Sequence, residues 1–332
     1  MKIRFLPQKR KKWRVLLCTL FVIFTIVSTE QIATSVNVSA SDQIRGSAVF
    51  SPLPNMEAIE KEVHVIKDLA YGKTKNSLLD IYHPIHTTEP LPVILWIHGG
   101  GYVSGSKDSR QNYGMALANA GYVVANIDYA LAPDQLYPGP VLQANAALEF
   151  LALHAKEYGG DMSRIFIGGD SAGSQIASQI AAVISNKTLA KAMDIQPAIQ
   201  SQYLQGALLM CGLYNMETVR ATGFPNIDLF LNTYTGSDQF ESFSRIHELS
   251  TVNQITPDYP PVFITVGDGD PFSSQAQELV QALESENVAV DSVFFEGSGK
   301  GLKHEYQYAL DTVDGQETLE KTLNFLFANS NR

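Results

Sequence analysis

The sequence predicts an α/β domain in which helices cover both faces of a mostly parallel sheet. Short apolar segments alternate along the chain with longer helical segments, an order typical of strand–helix–strand crossovers. Most of these apolar segments are continuous, as expected of strands that are covered on both faces. The chain has 332 residues, of which 45% are apolar and 17% charged. This length and composition suit one large globular domain and exclude a disordered, collagenous or coiled-coil chain.

The predicted elements follow in chain order. Residues 62–68 and 78–82 alternate in character and predict an antiparallel hairpin at one edge of the sheet. The other predicted strands are the apolar runs 93–97, 122–127, 165–167, 207–210, 262–266 and 290–295. The predicted helices are 110–120, 141–158, 172–185, 273–286 and 317–327. Residues 213–260 break the alternation with scattered aromatic side chains, so we expect a small cap-like insertion over the carboxyl edge of the sheet rather than a second domain.

The N-terminus has the pattern of an export signal. Basic residues between Lys2 and Arg14 precede an apolar run at 15–27. That run is shorter than the roughly 20 residues that a membrane-spanning helix needs. We therefore predict an export signal over residues 1–40, cleaved after Ala40, followed by a single domain over 41–332. Because that site lies far past the apolar run, an uncleaved N-terminal membrane anchor remains the alternative. Either way, the protein is expected to be secreted or extracytoplasmic.

Charge and cysteine content exclude several classes of protein. Outside residues 1–40 the chain carries 17 Lys and Arg against 33 Asp and Glu. A body this acidic lacks the positive surface that phosphate contacts need, so nucleic acid is excluded as a partner. The two cysteines, Cys18 and Cys211, exclude a disulfide framework and a cysteine-based zinc or iron–sulfur site.

A serine lies on a predicted strand-to-helix turn, in the segment Gly169-Asp170-Ser171-Ala172-Gly173. A sharp turn of this kind projects the serine hydroxyl above the sheet, and glycines are needed where strand and helix pass closely. The helix N-terminus beside Ser171 also favours developing negative charge. The pattern predicts a nucleophile, with a tight turn and a capping serine as the simpler interpretation.

A second motif, His98-Gly99-Gly100-Gly101-Tyr102, follows the predicted strand 93–97. Consecutive glycines let the backbone approach a substrate and turn N–H groups toward it. Together with the N–H of Ala172, they are candidates to hold an oxyanion. We expect His98 to brace this loop rather than to act as a base.

A serine nucleophile needs a histidine base and an acid that orients it. In the order nucleophile, acid, base, the candidate bases after Ser171 are His247 and His304. His304 is preferred because it follows a predicted strand through a glycine-rich loop. The candidate acids, Asp268 and Asp270, both follow the strand 262–266. Asp270 is preferred, and one of the two is expected to cap the next helix.

These motifs together resemble the hormone-sensitive-lipase-like branch of the α/β-hydrolase superfamily. The resemblance is carried by His98-Gly-Gly-Gly-Tyr102, Asp128-Tyr-Ala-Leu-Ala-Pro133, Gly169-Asp-Ser-Ala-Gly173, Asp270-Pro271 and His304. It implies an α/β-hydrolase fold with Ser171 as nucleophile, His304 as base and Asp270 as acid. The family's oxyanion donors fall on Gly100, Gly101 and Ala172.

The sequence departs from this family at three places. Ala130 stands where the family usually has an Arg, and the Asp expected near Gln143 is missing. Their joint absence suggests that a structural ion pair has been lost. Glu305 and Tyr306 follow His304 where the family usually has Gly and an aromatic residue. This alters the loop that holds the base.

The resemblance implies a serine carboxylic-ester hydrolase that acts on short- to medium-chain acyl esters through an acyl-enzyme, with no metal or organic cofactor. Its substrate would be a small-molecule or polymer-borne ester. A serine peptidase of the same fold and a catalytically inactive surface-binding homologue are the alternatives. Because the base must be neutral, activity is expected to decline as pH falls through about 6.5, the ordinary pKa of histidine.

Overall fold

The computed structural model describes residues 50–74 and 76–330. The predicted export signal at residues 1–40 lies outside the described residues. Within the described part of the chain, no helix is both long and apolar enough to cross a membrane.

The described residues form one sheet and a set of surrounding helices. The strands are β1 (Val63–Ala70), β2 (Leu78–Pro84), β3 (Leu91–Ile97), β4 (Val123–Ile127), β5 (Gly160–Asp170), β6 (Leu204–Met210), β7 (Val262–Val266) and β8 (Val290–Phe294). The α-helices are α1 (Met56–Ile59), α2 (Gln111–Asn119), α3 (Gly139–His154), α4 (Ala172–Ser185), α5 (Lys187–Ala192), α6 (Ile227–Thr235), α7 (Ile246–Leu249), α8 (Ser273–Ser285) and α9 (Val313–Asn329).

The sheet is mostly parallel, in the order β1-β2-β4-β3-β5-β6-β7-β8. Strand β2 is antiparallel to β1 and to β4, whereas every other neighbouring pair is parallel. The predicted edge hairpin is therefore confirmed, with Val65 opposite Tyr82 in its register. In a parallel sheet the carboxyl ends of the strands share one edge, and this brings the loops after β3, β5, β7 and β8 together.

Two apolar cores lie on opposite faces of the sheet, because side chains alternate along each strand. Leu95 of β3 packs in one core with residues of α3, α4 and α8, including Ile176. Its neighbour Trp96 packs in the other core with residues of α2 and α9, including Leu326. The prediction of helices on both faces is confirmed.

Helix ends differ from the prediction where local side chains or glycines decide them. The predicted helix 141–158 ends as α3 at His154, and a 3-10 turn runs on to Gly159, whose φ is +78°. Helix α5 was not predicted. It begins because the Asn186 side chain accepts the N–H groups of Thr188 and Leu189, each at 3.0 Å.

Residues 213–260, between β6 and β7, contain α6, α7 and three 3-10 helices. The 3-10 helices are Val219–Thr222, Phe240–Ser242 and Thr251–Asn253. The boundaries predicted for the cap-like insertion and for the whole domain stay predictions.

The first described residues bind the segment that follows β8. Ser51 donates its N–H to the Tyr308 carbonyl and accepts the N–H of Leu310, each at 3.1 Å. The Phe50 ring lies 5.7 Å from that of Tyr308. We call this contact the N-terminal clamp.

Candidate active site

Ser171 lies between the last residue of β5 and the first residue of α4. Its φ of +51° is in the left-handed region that L-residues rarely adopt, so the backbone turns sharply there. The Ser171 N–H donates to the Met210 carbonyl at 2.8 Å, which ties the turn to β6. The predicted strand–turn–helix context of this serine is confirmed.

The glycines on either side of this turn are required by close packing. A Cβ on Gly173 would lie 2.1 Å from the Ile97 carbonyl oxygen, and one on Gly169 would lie 2.5 Å from the Gly173 carbonyl oxygen. No side chain fits at either distance. Strand and helix therefore pass as closely as the sequence predicted.

The structure brings three predicted residues into one hydrogen-bonded chain. The Ser171 Oγ lies 3.0 Å from Nε2 of His304, and Nδ1 of His304 lies 2.8 Å from Oδ2 of Asp270. All three residues are buried. With a proton on Nδ1, His304 donates to Asp270 and its free Nε2 accepts from the serine hydroxyl. His247, the other candidate base, lies on α7 within residues 213–260.

The two candidate acids have different partners. Asp270 contacts His304, and its second oxygen accepts the N–H of Phe272 at 2.9 Å. Asp268 accepts the N–H groups of Gly301 at 3.1 Å and Leu302 at 2.7 Å. Asp268 therefore stabilises the loop before His304, and Asp270 is the carboxylate that meets the imidazole.

The glycine loop after β3 is anchored to the serine turn. The N–H of Gly99 donates to Oδ2 of Asp170 at 2.9 Å, so this amide is already engaged. Gly100 and Gly101 have φ values of +124° and +61°. Ala172 is the first residue of α4, and the first N–H groups of a helix have no acceptor within it. That Gly100, Gly101 and Ala172 hold an oxyanion stays a prediction.

His98 occupies a structural position under this loop, as expected. Its Nδ1 lies 2.6 Å from the Gly99 carbonyl oxygen, and its ring stacks on Tyr129 with centroids 4.4 Å apart. Burial lowers the pKa of His98 to about 4, so the ring is neutral near pH 7.

The electrostatic surroundings of His304 favour its protonated form. Burial alone would lower the pKa of His304, but the carboxylates of Asp270 and Glu305 outweigh it and raise the pKa to about 8. The value of about 6.5 applies to a histidine without such neighbours, and the carboxylates move the pKa of His304 above it.

Sequence reasoning did not identify a buried charged group beside the serine. The Arg110 guanidinium binds Asp170, with Nε 2.8 Å from Oδ1, and also binds Glu305. The hydroxyl of Tyr308 donates to the same Asp170 oxygen at 2.8 Å. The only signal in the sequence was the unusual residue after His304, since no motif marks Arg110.

Ala130 and Gln143, where the sequence departs from the family pattern, are hydrogen-bonded to each other. The side-chain oxygen of Gln143 accepts the Ala130 N–H at 2.8 Å, and its amide nitrogen lies 3.1 Å from the Ser77 hydroxyl. A neutral hydrogen bond thus joins the positions where an ion pair was expected to be lost.

Residues 213–260 contribute aromatic side chains to the site. The Phe224 ring stacks on Phe272 with centroids 4.2 Å apart and meets the His304 ring edge-on at 4.9 Å. Phe230 packs against Gly101, where a Cβ would lie 2.8 Å from its ring. One ring thus touches the imidazole and the other touches the glycine loop.

One group of potential metal ligands occurs among the described residues, and it overlaps the same site. Ligand atoms of Cys211, Asp270 and His304 lie within 4.8 Å of one another. Burial raises the pKa of the Cys211 thiol, which disfavours the thiolate that metals bind. A metal there would compete with the hydrogen-bonded chain for Asp270 and His304.

A cavity of about 900 Å³ lies away from the candidate site, near the amino ends of β3 and β5. Its lining includes Pro90, next to the start of β3, and Gly160, the first residue of β5. None of the predicted site residues lines this cavity.

Comparisons with known proteins agree with this architecture. The family model BD-FAE matches residues 79–283. The carboxylesterase NlhH of Mycobacterium tuberculosis is 30% identical over 219 residues, which are 64% of this chain and 66% of that protein. The acetyl esterase of Salmonella choleraesuis is 26% identical over 235 residues, 68% of each chain. This chain thus spans about two thirds of the length of these relatives.

Solved structures show the same fold. Esterase B from Lactobacillus rhamnosis superposes with a TM-score of 0.76 at 22% identity, covering 92% of this chain and 95% of that one. A bacterial heroin esterase superposes with a TM-score of 0.67 at 25% identity, covering 86% and 94%. Together with the family match over more than half of the residues, this confirms the fold and family predicted from the motifs. The chain belongs to the BD-FAE family and has an α/β-hydrolase fold.

Proposed function

We propose that this chain is a serine carboxylic-ester hydrolase that works through an acyl-enzyme. The single observation that carries the proposal is the hydrogen-bonded chain from Ser171 through His304 to Asp270. The names of NlhH and of the Salmonella acetyl esterase support the same class of reaction.

In the proposed reaction His304 takes the proton of Ser171 as Oγ attacks the ester carbonyl. Asp270 keeps the imidazole oriented and stabilises the imidazolium that forms. His304 then gives its proton to the departing alcohol, which leaves an acyl group on Ser171. Water, activated by the same imidazole, attacks this acyl group and releases the acid.

The negative oxygen of each tetrahedral intermediate would lie against the backbone N–H groups of Gly100, Gly101 and Ala172. The N-terminus of α4 adds a favourable dipole at the same point. Loss of one donor of this kind typically costs about 2.7–4 kcal/mol of transition-state stabilisation.

We propose short- to medium-chain acyl esters as substrates. The aromatic rings of Phe224 and Phe230, in contact with His304 and Gly101, support a site with apolar walls close to the reacting atoms. Both free esters and esters borne on a polymer fit the proposal, since neither changes the chemistry at Ser171.

The test compares the wild-type protein with Ser171→Ala on p-nitrophenyl esters from acetate to palmitate. We expect turnover of the short esters to fall by a factor on the order of 10⁶ in the variant. Ser174→Ala is the matched control, because Ser174 lies on the same helix but binds the Tyr214 hydroxyl at 2.8 Å.

Equal rates in wild type and Ser171→Ala would contradict the proposal. Hydrolysis of peptide p-nitroanilides without ester turnover would favour a serine peptidase of the same fold. Failure of a fluorophosphonate probe to label Ser171 would favour an inactive binding homologue.

We also propose that the protein acts outside the cytoplasm, on the basis of the basic and apolar pattern at residues 1–40. Cell fractionation of the full chain, followed by mass spectrometry of its N-terminus, tests this. A mature N-terminus at Ser41 supports cleavage, an intact N-terminus in the membrane fraction supports the anchor, and protein confined to the cytoplasm contradicts export.

A further inference from the structure

Two buried carboxylates, Asp170 and Glu305, adjoin Ser171 and His304 in the chain, and the buried Arg110 binds both of them. Arg110 donates from Nη2 to both Asp170 and Glu305, and the distance to Glu305 is 2.9 Å. Its Nε donates to the second Asp170 oxygen at 2.8 Å. The side chains of Arg110, Asp170 and Glu305 are 5%, 0% and 4% exposed. The proposed reaction uses none of them.

Each carboxylate belongs to a different part of the site. Asp170 directly precedes Ser171 and accepts the N–H of Gly99 in the glycine loop. Glu305 directly follows His304. One guanidinium therefore joins the serine turn, the glycine loop and the loop of the base. Its planar, fixed set of donors makes it suited to holding two carboxylates in a defined geometry.

The backbone conformation of Glu305 would suit glycine better than glutamate, which points to a role for the glutamate side chain. Its φ is +62°, a left-handed conformation that glycine adopts freely and a residue with a Cβ does not. A carboxylate at such a position, buried and paired with Arg110, indicates that the side chain has a task.

We propose that Arg110 and Glu305 are positioning residues, which hold the His304 imidazole on Ser171 and stabilise its positive charge during the reaction. This inference rests on the proposed esterase function. When His304 takes the serine proton, the Asp270 carboxylate 2.8 Å from Nδ1 and the charge of Glu305, the next residue in the chain, both favour the new positive charge. Arg110 keeps Glu305 in place by binding it directly, while it also binds Asp170.

Titration of the surrounding groups supports this arrangement. The groups that act on His304 and Glu305 are Asp270, Asp170, Arg110, Tyr308 and Cys211. Burial raises the pKa of Glu305, although Arg110 opposes the rise. When it is charged, the Glu305 carboxylate contributes to the raised pKa of His304.

The test uses Glu305→Gln in the full-length protein. The amide keeps an oxygen for Arg110 but removes the charge. We expect kcat for p-nitrophenyl acetate to fall about 10- to 100-fold with little change in KM, since small misplacements of a catalytic group have effects of this size. The acid limb of the pH–rate profile should move down by about one pH unit, because a nearby negative charge has been removed.

Arg110→Lys tests the other side of the same contact, since lysine keeps the charge but not the planar set of donors. It should lower kcat in the same way. Arg164→Lys is the matched control, because Arg164 pairs with Asp161 at 2.8 Å at the far end of β5. The control should keep the wild-type kcat and pH profile.

A second readout does not depend on turnover. The imidazole of His304 is titrated by NMR in wild type, in Glu305→Gln and in Glu305→Gly, with its signal assigned from His304→Gln. Both Glu305 variants should titrate at lower pH than wild type, and glycine suits the backbone at this position if glutamine impairs folding. Unchanged titration together with unchanged kcat would overturn the inference. If the wild-type protein hydrolyses no ester, the proposed function fails separately, and the titration still decides whether Glu305 acts on His304.

Discussion

The two histidines near Ser171 have opposite pKa shifts although both are buried. His98 faces a carbonyl oxygen and an aromatic ring, and an Asp128 oxygen 3.8 Å from its Nε2 does not offset burial, which lowers the pKa of His98 to about 4. His304 faces Asp270 and Glu305, so its pKa is raised to about 8. The neighbouring carboxylates, rather than the depth of burial, decide which histidine can carry a proton during a reaction.

We predict that kcat/KM for p-nitrophenyl acetate rises with pH and reaches half its maximum near pH 8. The reason is that His304 must be neutral to accept the serine proton, and its raised pKa keeps it protonated at lower pH. Rates from pH 5.5 to 9.5 check this, with Ser171→Ala as the measure of spontaneous hydrolysis at each pH. A midpoint at or below pH 6.5 would contradict the role given to the carboxylates.

The raised pKa of His304 makes its contribution to stability fall with rising pH, whereas the predicted activity rises. A group whose pKa is raised by folding stabilises the folded state below its unfolded pKa and loses that contribution as pH rises. The His304 contribution is therefore complete below about pH 6.5 and is lost as pH passes through about 8. Activity and this part of the stability change in opposite directions over the same interval.

At the scale of elements, the strands and the long helices were predictable because their apolar patterns extend over many residues. Each predicted strand overlaps one of β1 to β8, although β5 extends over Gly160–Asp170 where only 165–167 was predicted. Helix α4 matches 172–185 at both ends. The short helices α5, α6 and α7 were not predicted, since each depends on a local cap or on packing against distant residues.

The candidate site likewise contains residues that could be predicted from the sequence and residues that could not. Ser171 and His304 were identified from turn motifs and chain order, which are local properties. Choosing Asp270 over Asp268 needed the resemblance as well, because both are loop aspartates after the same strand. Arg110 and Glu305 are 195 positions apart, and no pattern in the sequence reports that they touch.

The segment between β6 and β7 supplies the Phe224 ring, which meets the imidazole of His304 edge-on at 4.9 Å. In the proposed reaction this imidazole protonates the leaving alcohol. We predict that Phe224→Ala raises kcat/KM for acetates of bulky alcohols relative to methyl acetate by about 10-fold, as expected when a small volume is opened in an apolar site. The matched control is Phe243→Ala, because Phe243 meets Tyr137 at 5.8 Å instead of His304. If Phe224→Ala leaves the ratio of the two kcat/KM values unchanged, this ring does not limit the size of the alcohol that the site accepts.

At the scale of the whole molecule, stability depends on two separate cores joined by one sheet. Strand β3 contributes to both, with Leu95 on one face and Trp96 on the other. Helix α9 closes the second core, and two adjacent residues near its end differ completely in burial. Leu326 is 0% exposed, whereas Phe327 is 73% exposed.

We predict that Leu326→Ala lowers the free energy of unfolding by about 2–5 kcal/mol, the range for buried leucines replaced by alanine. Phe327→Ala should change it by less than about 0.5 kcal/mol, as is usual for exposed positions. Urea denaturation of both variants measures the difference. Equal effects would contradict the assignment of α9 to the second core.

The N-terminal clamp links the start of the domain to the loop of the base. Phe50 also lies over the Arg110 guanidinium, 4.7 Å from its carbon atom, so the clamp reaches the residue that binds Glu305. A protein that starts at Ser41 keeps this contact, whereas one that starts at Leu53 loses it. We expect the shorter protein to fold but to hydrolyse esters more slowly, as steady-state rates of the two would report. The position at which the chain begins would then affect the rate of ester hydrolysis.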